Sequence, residues 1–298
     1  MKKLFFLLLI FTSSCLDSAK TLPSSIGSFP EVIFVVEDNL WRRGIKEAVT
    51  ETFGAPIKGL YRDEASFRVI HVTPPDFKAI FKKHPNIVII EKDVKPSSQK
   101  NKWTNGQLVE TLNYKKEDIK NKLNEIKEIF ESKELKSIKN KISKTSQQLP
   151  QKNIYHNFKI ELLVPSEYTI INNSSTFFWA TYNPEKKDII KQLLVFSFIP
   201  KSTAFQQEVL QKTDSIFAQY LEGAKQGQYV KIEPKFPPYY TNNTYRGLWR
   251  LEKGFMGGPF LLKTYFVNEK IVVTVGLVFA PDPNIKKRPH LKTFEAIL

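Results

Sequence analysis

The hydrophobic period of the chain changes repeatedly, and each change marks an expected boundary. Glu31 to Val36 is an apolar run short enough for a buried strand, followed by Trp41, Ile45, Ala48, Val49 and Phe53 at helical spacing. The pattern runs this helix from Leu40 to about Phe53, with Asp38 or Asn39 as cap and Gly54-Ala55-Pro56 as stop. A second strand is expected at about Phe67 to Val72. Thr73-Pro74-Pro75-Asp76 then supplies a cap, a proline for the first helical position and an acid for the positive helix end, predicting a short helix to about Lys83. A third strand follows at Asn86 to Ile90, and a fourth at Gln107 to Leu112 after the polar stretch that leads to Trp103.

From about Lys115 a lysine-rich helix carries Ile119, Leu123, Ile126 and Phe130 as one stripe. Leu135, Ile138 and Ile142 form a second stripe out of step with the first, which predicts a break near Ser132. Ser143 to Asn153 is polar, bears a proline and has no period, the pattern of a linker. Beyond it, strands are expected at Phe158 to Val164, Tyr168 to Asn172, Phe177 to Tyr182 and Leu193 to Phe198. A helix from Thr203 to about Leu221 and a short strand at Tyr229 to Ile232 come next. Tyr245 to Leu251, Phe260 to Val267 and Ile271 to Phe279 read as an antiparallel meander, and Leu291 to Leu298 as a last helix. The fold class is α+β, with two mixed sheet-and-helix subdomains, 31–145 and 154–298. The C-terminal one is a mainly antiparallel sheet covered by helices.

The start of the chain follows another logic. Lys2 and Lys3 precede the apolar run Leu4 to Phe11, then Thr12-Ser13-Ser14 lead into Cys15, the only cysteine of the chain. Charged start, greasy core and small-residue exit are the layout of a secretory signal, residues 1–14, and the run is far below the roughly 20 residues of a membrane-spanning helix. The segment resembles a lipobox, which implies lipidation at Cys15, although Thr12 stands where leucine is usual. The alternative is an ordinary signal peptide with an incidental cysteine. Residues 15–30 are then a lipidated tether, and the expected location is the cell envelope, by analogy the outer membrane.

Composition changes this picture in two ways. Hydrophobic residues make up 41% of the chain, enough for sizeable cores, and a single cysteine leaves stability to packing alone. The formal charge of +15 would point to nucleic acid in a cytosolic protein. Export redirects that expectation to the membrane and to an envelope protein or anionic polymer as partners, with no nucleic acid; the alternative is that the abundance of lysine, asparagine and isoleucine reflects the coding bias of an AT-rich genome, and charge alone identifies no ligand.

Catalytic signatures are absent: there is no His-Glu-x-x-His, no phosphate-cradling glycine loop and no Gly-x-Ser-x-Gly. His71, His84, His156 and His290 share no metal-ligand spacing and are expected at the surface or at strand ends. No catalytic residue, metal or cofactor is therefore assigned. Asp63 and Glu64 would carry the alternative of a carboxylate-based envelope hydrolase, but adjacent residues point apart, so a cap or salt-bridge role is the competing assignment. Binding is assigned to Trp249, Met256, Gly257 and Gly258, where paired glycines permit positive φ or close backbone approach; a tight turn is the alternative. Trp179, Trp249 and Tyr239-Tyr240 are further candidates for a binding platform, against a role as core.

Gly247-Leu248-Trp249, Phe255-Met256-Gly257-Gly258-Pro259-Phe260, Gly276 to Pro281, Lys287-Arg288 and Leu291 to Glu295 together resemble a lipoprotein family from Bacteroidetes-type bacteria. Leu40-Trp41, Gly54-Ala55-Pro56, Gly59-Leu60 and Asp63-Glu64 look like the same family's N-terminal part. That family is a domain of unknown function. The resemblance implies an envelope lipoprotein and transfers no catalytic residue.

Overall fold

Branched residues dominate β1 (Glu31–Val36), which is buried along nearly its whole length because helices cover both of its faces. The computed structural model describes residues 21–298, so the signal segment and Cys15 lie outside the described residues. After β1 come a helical turn α1 (Asp38–Leu40), a π-turn (Trp41–Ile45) and α2 (Lys46–Thr52). The strand β2 (Arg68–Val72), a 3-10 turn (Pro74–Asp76), α3 (Ala79–Lys82) and β3 (Asn86–Glu91) follow. The unit closes with β4 (Ser97–Lys100), β5 (Leu108–Asn113) and α4 (Ile119–Ser143). Its sheet order is β2-β1-β3-β5-β4, parallel except for β4. Phe34, Val49, Phe53, Val88, Leu123 and Phe130 pack α2 and α4 onto one face, while Ile33, Ile87, Phe77, Phe81 and Trp103 fill the other.

The second half comprises α5 (Gln148–Phe158), β6 (Thr169–Asn173), β7 (Phe177–Tyr182), β8 (Ile190–Phe198), α6 (Phe205–Tyr220), β9 (Val230–Ile232), β10 (Tyr239–Thr241), β11 (Thr244–Leu251), β12 (Gly257–Val267), β13 (Lys270–Phe279) and α7 (Arg288–Ile297). Its antiparallel sheet runs β10-β11-β12-β13-β8-β7-β6, and β9 pairs with β11 beyond β10. Alternate side chains point to opposite faces. Phe178, Leu193, Val195 and Val272 meet Ile154 and Phe158 of α5 and Leu291 and Phe294 of α7 on one face. Leu194, Phe196, Leu262 and Val273 meet Val209 and Phe217 of α6 on the other. The α+β class is as expected.

Five local expectations are corrected. The first helix is interrupted at Gly44 (φ +118), and the extra residue of the π-turn keeps both Leu40 and Ile45 buried. α4 does not break near Ser132. Its first stripe faces the parallel sheet, whereas Ile142 from the second packs with the C-terminal core, so the phase shift records two partners. The stretch read as a linker becomes helical from Gln148, because Pro150 sits in the first turn, where its missing N–H costs nothing, and lines up with Ile154 and Phe158. Phe158 to Val164 is not a ladder strand: Ile160, Leu162 and Val164 are buried alternately, but the backbone bonds to its neighbours singly, Leu163 N to Ile297 O at 3.1 Å. The tether expected to be free to residue 30 holds to the body from Leu22, through Asn105 Nδ2 donating to Leu22 O at 2.6 Å and Ile26 N donating to Lys83 O at 2.9 Å.

The two halves meet through ions. Arg288 at the start of α7 reaches Glu134 of α4 with two bonds of 2.7 Å and Ser66 O with a third of 2.7 Å, and its guanidinium lies over the Phe67 ring. Both side chains of the pair are 5% exposed. Lys292 continues the seam to Glu131 of α4 at 3.9 Å, and within the second half it is held by Glu295 at 2.7 Å, which also pairs with Arg246.

Candidate functional site

All four residues expected to bind, Trp249, Met256, Gly257 and Gly258, line one cavity of about 500 Å³ on the β11–β12 hairpin. That volume lies within the range of small-ligand pockets. In the ladder Trp249 pairs with Gly258. A Cβ on Gly258 would stand 2.0 Å from Val278 O, the atom that accepts the Trp249 Nε1 hydrogen at 3.2 Å. The missing side chain thus lets the indole, 4% exposed, lie across β12 and close the pocket floor. Close approach is the property used here. Neither Gly257 nor Gly258 has a positive φ, and both stand in β12; the turn is Glu252 to Phe255, with Lys253 at φ +55.

The opposite wall comes from the first half, through Leu60, Tyr61 and Arg62, and from the 280–287 loop before α7. Aromatic side chains rim the opening without being covered. Phe255 at the hairpin tip is 96% exposed and Tyr61 76%, and Tyr61 meets Phe236 edge-on at 6.2 Å. These rim residues escaped the sequence reading, since exposure of an aromatic depends on which half closes over it.

Carboxylates around the pocket are engaged in holding the structure. Glu64 accepts from Lys287 N at 2.8 Å and Arg288 N at 2.9 Å, capping α7 from 223 positions away. Asp63 is exposed, so the acidic pair does not converge on one gap. Glu233 and Glu252 both contact Arg250, at 3.5 Å and 2.7 Å. Trp179 lines a smaller cavity of about 160 Å³ with Trp249 and Met256, its Nε1 donating to Gln192 at 2.7 Å. Tyr239 and Tyr240 are on the edge strand β10 and line neither cavity.

The histidines do not gather. His71 stacks on Trp41 at 4.3 Å, and His156 is exposed. His84, expected at the surface or at a strand end, stands just before β3 and is buried against Glu31 at 3.3 Å. His290 is half-buried, and desolvation together with Lys191 and Lys287 holds its pKa down at about 4. Among the described residues no group of three or more His, Cys, Asp and Glu could hold a metal.

A larger groove of about 1120 Å³ lies where α4, α5, β12 and α7 meet, lined by Lys136, Lys139, Lys152, Lys159 and Lys263. Desolvation lowers the pKa of Lys263. Ion pairs of lysine among the described residues involve Lys120, Lys122, Lys231 and Lys292 instead.

Two family models match the chain. Residues 25–143 match the one described as Domain of unknown function (DUF8532), and residues 147–298 the one described as Domain of unknown function (DUF4837). No curated protein matches it.

Proposed function

We propose, for a chain that belongs through residues 147–298 to the family described as Domain of unknown function (DUF4837), that it is a lipid-anchored envelope protein whose work is binding. The anchor is an acyl group on Cys15, and the outer membrane is the site. The hairpin pocket receives an aromatic or aliphatic side chain of an envelope protein partner. The observation that carries the binding reading is the uncovered aromatic rim, Phe255 and Tyr61, over an apolar floor closed by Trp249. Engagement of Glu64, Glu233 and Glu252 in structural contacts supports binding over hydrolysis at this pocket.

Two experiments test it. Fatty-acid labelling of the wild type against Cys15→Ser reads the anchor, and an unlabelled wild-type product refutes it. A photoactivatable phenylalanine at position 255 should give a defined crosslinked species in intact envelopes, and Met256→Lys, which puts a charge into the pocket, should abolish it. The same species from a photoactivatable residue at the remote Tyr155 would refute the pocket assignment.

The lysine-lined groove favours a second reading, adhesion to anionic envelope polymers. Salt-dependent co-sedimentation with cell wall or lipopolysaccharide tests it, and indifference to salt disposes of it.

A further inference from the structure

Seven positions separate Cys15 from Leu22, which is bonded to the body through Asn105. Fully extended, seven residues span at most about 25 Å. A folded body of this size is about 50 Å across, so an acyl group at Cys15 could bring only the surface around Leu22 to a bilayer.

That surface has a distinctive chemistry. Ser25 N donates to Asn105 O at 3.0 Å, and Ile26 N to Lys83 O, which places the entering segment beside the Trp103–Gly106 loop and the end of α3. Ile80 is 66% exposed, and Leu22 and Ile26 of the entering segment are exposed as well. Lys78, Lys83, Lys100 and Lys102 are exposed and Lys82 is half-buried. The ammonium groups of Lys82 and Lys102 lie 5.8 Å and 4.7 Å from the Trp103 ring. None of these five lysines is among those paired with carboxylates in the described residues. Of the nearby acids, Glu31 is paired with Arg68 and His84, while Asp76 accepts from the Thr73 hydroxyl and leaves one negative charge against five lysines.

We infer that this face seats on an anionic phospholipid surface, with Ile80, Ile26 and Leu22 in the headgroup region and the lysines over the phosphates. The inference rests on the lipid-anchor reading for the reason the face meets a bilayer, and it adds the partner and the orientation. Acylation at Cys15 supplies the attachment itself, and the basic cluster beside it adds an electrostatic contact that selects which face turns to the bilayer.

The test uses the chain beginning at Leu16, which contains every described element and carries no acyl group. It should co-sediment with phosphatidylcholine vesicles that contain phosphatidylglycerol, and not with phosphatidylcholine alone. Replacing Lys78, Lys83 and Lys102 by Gln should weaken that partition about a hundredfold. Replacing Lys201, Lys212 and Lys270, exposed in the second half and lining neither the pocket nor the groove, by Gln removes the same charge elsewhere and should leave it within about threefold. Equal losses from the two triple variants, or no vesicle binding by a chain with an intact circular dichroism spectrum, would overturn the inference. Fatty-acid labelling at Cys15 decides the anchor separately, so the two failures are distinguishable.

Discussion

Arg288→Met is the most informative single perturbation of the fold. It removes two 2.7 Å bonds to Glu134 and one to Ser66 O, and leaves the Glu134 carboxylate, 5% exposed, without its partner. Breaking one side of a buried pair costs about 3–5 kcal/mol, and an orphaned buried carbonyl a further ~1–3 kcal/mol. The two penalties overlap as the site relaxes, so a loss of about 4–6 kcal/mol is expected. Most of the larger penalty is the stranded charge, and Arg288→Met with Glu134→Leu should recover about half of it. Urea unfolding of the wild type, both single variants and the double variant measures the cycle. A cost below about 1 kcal/mol for Arg288→Met would refute the reasoning, since it would mean that water already reaches the pair.

Four further outcomes are expected. Gly44→Ala meets no atom within 4 Å but must adopt φ +118, so strain alone should cost about 1–2 kcal/mol in urea unfolding; a gain in stability would show that the π-turn straightens. Glu64→Ala removes the acceptor for two N–H groups at the start of α7 and should cost about 1–2 kcal/mol, read as a lowered Tm. Gly258→Ala drives a methyl into Val278 O, should cost about 3 kcal/mol and should shift the emission of Trp249. His290 titrates at about 4 when folded, below its ordinary 6.5, so the unfolded chain binds its proton first and stability falls as pH drops from about 6.5 to 4; His290→Gln should remove up to about 3 kcal/mol of that slope in urea titrations at several pH values.

The C-terminal meander was legible because its strands face cores on both sides: Ile271 to Phe279 is apolar but for Thr274, and Asn268-Glu269 supplies the turn. Elements with mixed allegiance were not. The two stripes of α4 imitate two helices because they serve two cores, and Pro150 imitates a breaker because its tolerance in a first turn depends on where the helix begins. β4, Ser97-Ser98-Gln99-Lys100, is polar and exposed and exists by pairing with β5, a signal no local period carries. In the pocket, Trp249, Met256, Gly257 and Gly258 were singled out by residue type in one local stretch. Tyr61 and Phe236 were not, because a rim is assembled from segments distant in sequence, and Phe255, next to Met256, was not, because residue type alone does not show that a hairpin-tip aromatic stays uncovered.

The bond between Glu134 and Arg288 joins residues 154 positions apart. At a synthesis rate of about 5–20 residues per second, α4 emerges roughly 8–30 s before the helix that covers its seam. A greasy seam left waiting that long would invite association with neighbouring chains. The waiting surface here carries Glu131 and Glu134 beside its apolar residues, and water can solvate these two carboxylates until Arg288 and Lys292 arrive and complete the seam by charge.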